Sequence, residues 1–199
     1  MDLTYTWNTS CALGCSFCPF QRAERFRVAE HVARIRALAE AHPFARRLFI
    51  VGGDLLADPQ VPKALRALRA VPGLPELLWY SPLREPDKIA TLRAKGPLAG
   101  VLLPLFHWQA HESPWAPAPA RVLKAAATLR AQGLTVVPLI FALPSNLASL
   151  DRFGAHVQRA LDADTMFVRV MNVLLRDERA LPFADLTPAL GRLAAVARA

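Results

Sequence analysis

The stretch TSCALGCSFCPF, residues 9–20, contains every cysteine of this 199-residue chain: Cys11, Cys15 and Cys18. An odd number of closely spaced thiols does not suit a disulfide framework. The chain opens MDLTYTW, without the basic and apolar regions of a secretory signal peptide. We therefore expect a cytoplasmic protein, in which clustered thiols are more often metal ligands or catalysts.

Four chemistries are open to these thiols. A short loop with this spacing can present three thiolates to three irons of a cubane cluster, which leaves the fourth iron open to a substrate or cofactor. Structural zinc prefers four ligands, and the nearest histidine, His31, lies inside a predicted helix. A redox pair of Cys15 and Cys18 leaves Cys11 unexplained, and a disulfide with a spare thiol is less favoured still. The spacing favours the iron–sulfur cluster.

The composition is that of a globular protein, with 53% hydrophobic and 20% charged residues. No apolar run approaches the ~18 residues that span a bilayer, so we expect no membrane association. The net charge of +8 is compatible with an acidic partner. However, the arginines are spread along helices and are not interleaved with aromatic residues, so nucleic acid is an unlikely partner.

Strand and helix patterns alternate along the whole chain, which predicts one α/β domain over residues 1–199 with parallel strands. An open doubly wound sheet and a partial (β/α)6 barrel both satisfy this pattern, and both bind ligands at the carboxyl ends of the strands. Strands are predicted over residues 3–9, 47–51, 76–81, 100–106, 134–143 and 165–174. Helices are predicted over residues 24–41, 59–71, 85–96, 118–133, 149–162 and 186–199.

Two segments together resemble the radical S-adenosylmethionine (SAM) superfamily. The first is Cys-x3-Cys-x2-Cys with the aromatic Phe17 before its last cysteine, and the second is FIVGGDLLADPQ, residues 49–60. The resemblance covers nearly the whole chain and implies a partial (β/α)6 barrel. It also implies that Cys11, Cys15 and Cys18 bind a [4Fe–4S] cluster whose fourth iron is chelated by SAM. One electron would then cleave SAM to a 5′-deoxyadenosyl radical that abstracts hydrogen from a substrate.

The resemblance places the methionine part of SAM against Gly52, Gly53 and Asp54. Glycine lets the backbone approach a ligand closely. Asp54 stands where the family has glutamate, and its carboxylate can accept charge-assisted hydrogen bonds from the SAM ammonium. Leu55 replaces the usual proline. An ordinary strand-to-helix turn is the competing interpretation of these residues.

Further SAM contacts are expected after later strands, and each has a structural alternative. Ser81 is a polar SAM contact or a turn residue before proline. Asn146 lies near the ribose or forms an Asx-turn. Arg169 and Asn172 lie on the sixth predicted strand, where Arg169 contacts SAM or a nearby acid. Pro104 replaces a serine of the family, so that contact is lost.

The substrate is the least determined part of the prediction. A loop carrying His107, Trp108 and His111 is a candidate substrate wall. We favour a peptide or protein substrate, alone or with a separate recognition protein, ahead of a small molecule and then RNA. The resemblance also implies an external electron donor such as flavodoxin or ferredoxin. The alternative class is a cluster-binding protein without SAM cleavage, such as an electron carrier or an inactive partner subunit, which Asp54 and Pro104 favour slightly.

Overall fold

The computed structural model describes seven segments of the chain: residues 1–8, 27–55, 58–105, 118–143, 146–163, 165–170 and 183–196. The three cysteines, Phe17, Asn172 and the loop with His107, Trp108 and His111 lie outside these segments. Within the described part of the chain, no helix is long and apolar enough to cross a membrane.

Six strands form one sheet in the order of the sequence, β1 to β6. Parallel pairing joins neighbouring strands in the described residues: β1 with β2, β2 with β3, β3 with β4 and β5 with β6. A doubly wound sheet reverses its strand order at a switch point, whereas a barrel keeps consecutive strands adjacent. The order confirms the partial (β/α)6 barrel. The strands are Asp2–Asn8, Arg47–Gly52, Glu76–Tyr80, Gly100–Leu105, Thr135–Ala142 and Phe167–Val170.

In the described residues, six α-helices follow the strands, as the alternation predicts. In chain order, α1 to α6 are Val28–Ala41, Val61–Leu68, Asp87–Lys95, Pro119–Ala131, Leu150–Leu161 and Phe183–Val196. The last helix begins three residues before the predicted start and contains Pro188. Pro188 stands in the second turn, close to the end where proline is best tolerated.

The start of α2 differs from the prediction. The helix begins at Val61 with Gln60 as N-cap, two residues after the start that the sequence predicts. The Asp58 side chain accepts a hydrogen bond from the Gln60 backbone N–H at 2.8 Å, and the Asp58 carbonyl accepts one from the Val61 N–H. Asp58 therefore forms a turn ahead of the helix, because an Asx side chain competes for backbone donors two residues on.

Two glycines predicted to end helices do so for different reasons. Gly133 has φ +78°, the left-handed conformation expected at a helix C-terminus. Gly96 has φ 179°, which any residue adopts. A Cβ at Gly96 would lie 2.1 Å from the Leu65 carbonyl oxygen, so glycine is required there for the close approach of α3 to α2.

The chain divides into two compact units. The described part of the first unit is residues 1–8, 27–55 and 58–102, which includes β1 to β3 and α1 to α3. The described part of the second is residues 103–105, 118–143, 146–163, 165–170 and 183–196. The prediction of a single domain over residues 1–199 stays a prediction.

The core of the first unit lies between its strands and its helices. Tyr5 pairs with Ile50 and Ile50 pairs with Trp79, so these residues share one face of the sheet. Ile50 and Trp79 are fully buried, together with Leu65 of α2. Because the strands are parallel and each helix follows its strand, the loops after β2 and β3 leave the sheet at the same edge.

In the second unit, helix α5 packs closely on α6. A Cβ at Gly154 would lie 2.1 Å from a terminal methyl of Leu193, so glycine admits that side chain. The β5 strand is buried from Val136 to Ala142, as expected for a strand that is covered on both faces.

Candidate cofactor-binding site

The site begins with a buried acid at the end of β2. Strand β2 ends at Gly52, Gly53 is buried, and Asp54 follows directly. The Asp54 side chain is only 6% exposed. Its Oδ2 atom is buried and has no hydrogen-bond partner within the described structure. Burying a carboxylate oxygen without a donor is costly, so a group that donates a hydrogen bond to this atom would stabilise it.

Among the described residues, Arg84 is the cation in ion-pair range of this acid. Its Nη1 atom lies 3.9 Å from Asp54 Oδ2, close enough for electrostatic attraction but too far for a hydrogen bond. The Arg84 side chain is 35% exposed, so solvent or a ligand reaches the guanidinium. The two side chains bring opposite charges together at the carboxyl edge of the sheet, but no hydrogen bond joins them.

The environment of Asp54 raises its pKa from 3.8 to about 6. Burial is the largest cause, because the charged form loses hydration. The positive charge of Arg84 opposes this rise, Glu85 adds to it, and Lys88 opposes it. Lys88 itself forms an ion pair with Glu85. At pH 7 Asp54 is mostly ionised, which is the form that accepts a hydrogen bond from an ammonium group.

Arg84 follows a loop after β3 (Glu76–Tyr80) whose backbone is held by hydrogen bonds. The Ser81 hydroxyl accepts a hydrogen bond from the Leu83 N–H at 3.1 Å, and the Ser81 N–H donates to the Leu102 carbonyl. Leu83 is buried with φ +55°, a conformation that L-residues rarely adopt. The structure therefore shows Ser81 as a turn residue, and its predicted contact with SAM stays a prediction.

Asn146 has a structural role in the second unit. Its Oδ1 accepts a hydrogen bond from the Leu143 N–H at 2.9 Å, and its Nδ2 donates to the Phe141 carbonyl at 2.7 Å. The residue is 1% exposed and precedes a short 3-10 turn over Leu147–Ser149. Both bonds run back along the chain to the end of β5, whereas an Asx-turn uses the backbone N–H two residues further on, so the structural role differs from the predicted turn. The predicted contact of Asn146 with the ribose stays a prediction.

The remaining predicted site residues are only partly placed. Arg169 lies on β6, paired with Phe141 of β5, and its side chain is not described. Pro104 lies within the buried strand β4. Cys11, Cys15 and Cys18, the predicted cluster ligands, lie outside the described residues, and the described residues contain no group of three metal-ligating side chains.

His31, the histidine considered as a zinc ligand, is buried in an aromatic cluster. Its Nδ1 lies 2.7 Å from the Tyr5 hydroxyl, and its ring stacks on Trp7 with the centroids 3.8 Å apart. The residue is 2% exposed. Burial is the main cause that lowers the pKa of His31, followed by the positive charge of Arg34. The ring belongs to the packing of α1 on β1, which argues against a zinc site.

Sequence analysis missed Arg84. It stands in SPLREP, residues 81–86, three positions after Ser81. A basic residue just after a strand that ends at the ligand-binding edge is the signal that identifies it. Its distance from Asp54 is a property of the folded chain, because the two residues follow different strands.

Comparison with known proteins gives a family and a fold. The family model "Radical SAM superfamily" matches residues 5–153. Streptococcus suis SuiB is similar over 97% of this chain and 45% of its own, with 15% identity and a TM-score of 0.73. HydG, a maturase of the [FeFe]-hydrogenase, is similar over 100% of this chain and 50% of its own, with 12% identity and a TM-score of 0.69.

Methylornithine synthase (PylB) is similar over 97% of this chain and 62% of its own, with 17% identity and a TM-score of 0.69. The chain thus spans about half the length of these proteins. At these identities the likeness shows the fold, and it agrees with the partial barrel of parallel strands. Curated protein sequences gave no match.

Proposed function

This chain belongs to the radical SAM superfamily, and on that premise we propose that it binds a [4Fe–4S] cluster and cleaves SAM reductively. Cys11, Cys15 and Cys18 would hold three irons, because three thiolates in a short loop match the donor set of such a cluster. When bound, the cluster and SAM supply a 5′-deoxyadenosyl radical that abstracts hydrogen from a substrate.

The unpartnered Oδ2 atom of Asp54 is the observation that carries the proposal. A buried carboxylate that lacks a donor fits the ammonium group of SAM, which brings both a positive charge and N–H donors. Asp54 is one methylene shorter than the glutamate of the family, so its carboxylate reaches less far but carries the same charge. A hydrogen bond to a charged group contributes about 1.5–3 kcal/mol.

Arg84 completes the recognition of an amino acid. The methionine part of SAM carries a carboxylate beside its ammonium. With the ammonium on Asp54, the partly exposed guanidinium of Arg84 is free to donate to that carboxylate. The 3.9 Å separation of the two side chains places opposite charges next to each other, as a zwitterion requires.

The other SAM contacts are proposed from the family resemblance. Gly52 and Gly53 would let the backbone approach the methionine part, and Ser81 lies at the same edge of the first unit. Phe17, Asn146, Arg169 and Asn172 complete the proposed set.

A peptide or protein is the proposed substrate. SuiB is described in a complex with its precursor peptide SuiA, which supports this class over others. The likeness to methylornithine synthase supports a small molecule as the second class, and RNA is supported only by the net charge of +8. An external electron donor and a separate recognition protein are further proposed partners.

The deciding experiment is anaerobic reconstitution followed by reduction with dithionite in the presence of SAM. We expect about four irons per chain and formation of 5′-deoxyadenosine. Zinc in place of iron would refute the proposed cluster. Full iron content with SAM binding but without 5′-deoxyadenosine would favour a non-catalytic partner subunit, the function that the Asp54 and Pro104 departures favour.

A further inference from the structure

A groove of about 730 Å³ lies between helices α1 and α2 in the first unit. Its walls are small and apolar along α1, where Val28, Val32 and Ala33 face the groove. Ala67 of α2 lines it from the other side. These short side chains leave an open channel between two helices whose other faces pack on the sheet.

Three cations surround this channel: Arg27, Arg36 and Lys63. All three are exposed, and the residues that line the groove include no carboxylate. Glu30 and Asp58 lie beside one end of it, where each accepts a hydrogen bond from a backbone N–H of the lining. Within the described parts of the chain, none of the three takes part in an ion pair. Arg27 is the N-cap of α1, where a positive charge opposes the helix dipole. We call this channel with its three cations the basic groove.

We propose that the basic groove is the docking surface for an acidic protein that donates single electrons. This inference rests on the proposed function, because reductive cleavage of SAM requires one electron from outside the chain. In each event one electron leaves the donor protein and one electron enters the cluster. The basic groove has the charge that an acidic donor would recognise, and its apolar walls form the centre of such an interface.

The position of the groove favours an electron donor over a substrate. The groove belongs to the helix layer, so a protein bound there leaves the opposite face of the sheet free. Helices α1 and α2 begin at the carboxyl end of β1 and β2, the edge where Asp54 lies. Arg27, Pro59 and Gln60 place one end of the groove at these helix starts. Electron-transfer complexes use small interfaces, below ~1,200 Å² in total, so an apolar groove with three cations is a sufficient centre.

The test compares two charge-reversal variants with equal changes in net charge. Arg36→Glu with Lys63→Glu alters the basic groove. Arg121→Glu with Lys124→Glu is the matched control, because both residues are exposed on α4 and belong to the second unit. The probe is a purified acidic flavodoxin. Its dissociation constant for the apo-protein is measured by calorimetry at low and high salt, and its rate of cluster reduction is measured on reconstituted protein.

We expect the groove variant to bind flavodoxin roughly tenfold or more weakly at low salt, with a matching loss in reduction rate. The gap should shrink at ~1 M salt, where the screening length falls to about 3 Å. The control should stay within about twofold of wild type. Dithionite bypasses docking, so cleavage of SAM driven by dithionite should be equal in all three proteins.

Equal flavodoxin binding by the two variants would overturn the docking proposal. Binding of an acidic peptide at the groove, with unchanged flavodoxin binding and reduction, would likewise overturn the assignment to an electron donor. The proposed function fails separately, if wild-type protein reduced with dithionite does not cleave SAM. The binding comparison on apo-protein remains decisive in that case.

Discussion

Two buried titratable side chains in the first unit, His31 and Asp54, differ in how their polar atoms are partnered. His31 contacts the Tyr5 hydroxyl through one ring nitrogen and stacks on Trp7. Asp54 has a buried oxygen that accepts no hydrogen bond from the described residues, and a cation 3.9 Å away. Burial alone therefore does not identify a binding site. A missing partner on a group that a ligand can reach does.

Trp79 sharpens this distinction. Its indole N–H is also buried and unpartnered, but the residue is 0% exposed and lies in the same aromatic cluster, 5.5 Å from Trp7. Asp54 lies at the carboxyl edge of the sheet beside the partly exposed Arg84, so a ligand can supply the missing donor.

The largest expected change in stability concerns the aromatic contacts of His31. Trp7→Ala removes the ring that stacks on His31 and leaves a cavity between β1 and α1. We expect a loss of about 3–5 kcal/mol in the free energy of unfolding. Urea denaturation followed by circular dichroism measures it. A loss below ~1 kcal/mol would show that the aromatic cluster does not stabilise the first unit.

In the absence of SAM, Asp54→Asn is expected to raise the free energy of unfolding. The folded protein holds a proton on Asp54 up to about pH 6, whereas the unfolded chain releases it near 3.8. Stability of the wild type therefore falls as the pH rises from ~4 to ~6, and the cost is complete above that window. The variant lacks this cost and should be more stable at pH 7 by about 1–3 kcal/mol.

Urea denaturation at pH 4, 5, 6 and 7 measures this difference. Its growth between pH 4 and pH 6 separates the removal of a charge from a general effect of the substitution. A variant that is less stable than wild type at pH 7 would mean that the Asp54 carboxylate already has a satisfying partner in the free protein.

The same substitution should weaken SAM binding. Asp54→Asn keeps the size of the side chain and removes its charge, so SAM affinity should fall roughly ten- to a hundred-fold, the equivalent of about 1.5–3 kcal/mol. Asp54→Glu restores the side chain of the family and should keep or improve binding. Because the ionised form accepts the ammonium, wild-type affinity should rise as the pH passes about 6.

Calorimetry on reconstituted protein measures SAM binding, and iron content is the control, because Asp54 is not an iron ligand. If Asp54→Asn bound SAM as tightly as wild type, residues 52–54 would be only a turn, and the non-catalytic function would gain support.

The smallest effect is expected for Arg84→Ala, because this side chain is partly exposed and its contacts are screened by solvent. SAM affinity should fall by about tenfold, which corresponds to 1.4 kcal/mol. Arg84→Lys keeps the charge and should recover part of the loss. Methionine methyl ester, which lacks the free carboxylate, is the informative competitor. If it discriminated between wild type and Arg84→Ala as methionine does, Arg84 would not bind the carboxylate.

Much of this site followed from local patterns. The apolar runs and their end signals predicted all six strands within a few residues, because strand and helix periodicity is local. The position of Asp54 directly after β2 was predicted for the same reason. Helix α2 starts two residues after its predicted start, because Asp58 to Gln60 form a turn ahead of the helix.

Neighbouring residues were enough to predict alternating parallel strands, the cysteine loop and an acid at a ligand-binding edge. The order of the strands depended on which strands pair, and the pairings distinguish a partial barrel from a doubly wound sheet. Tyr5 and His31 are 26 residues apart, and Asp54 and Arg84 follow different strands. Whether a buried polar atom finds a partner depends on such distant contacts, so folding alone made His31 a packing residue and left Asp54 open to a ligand.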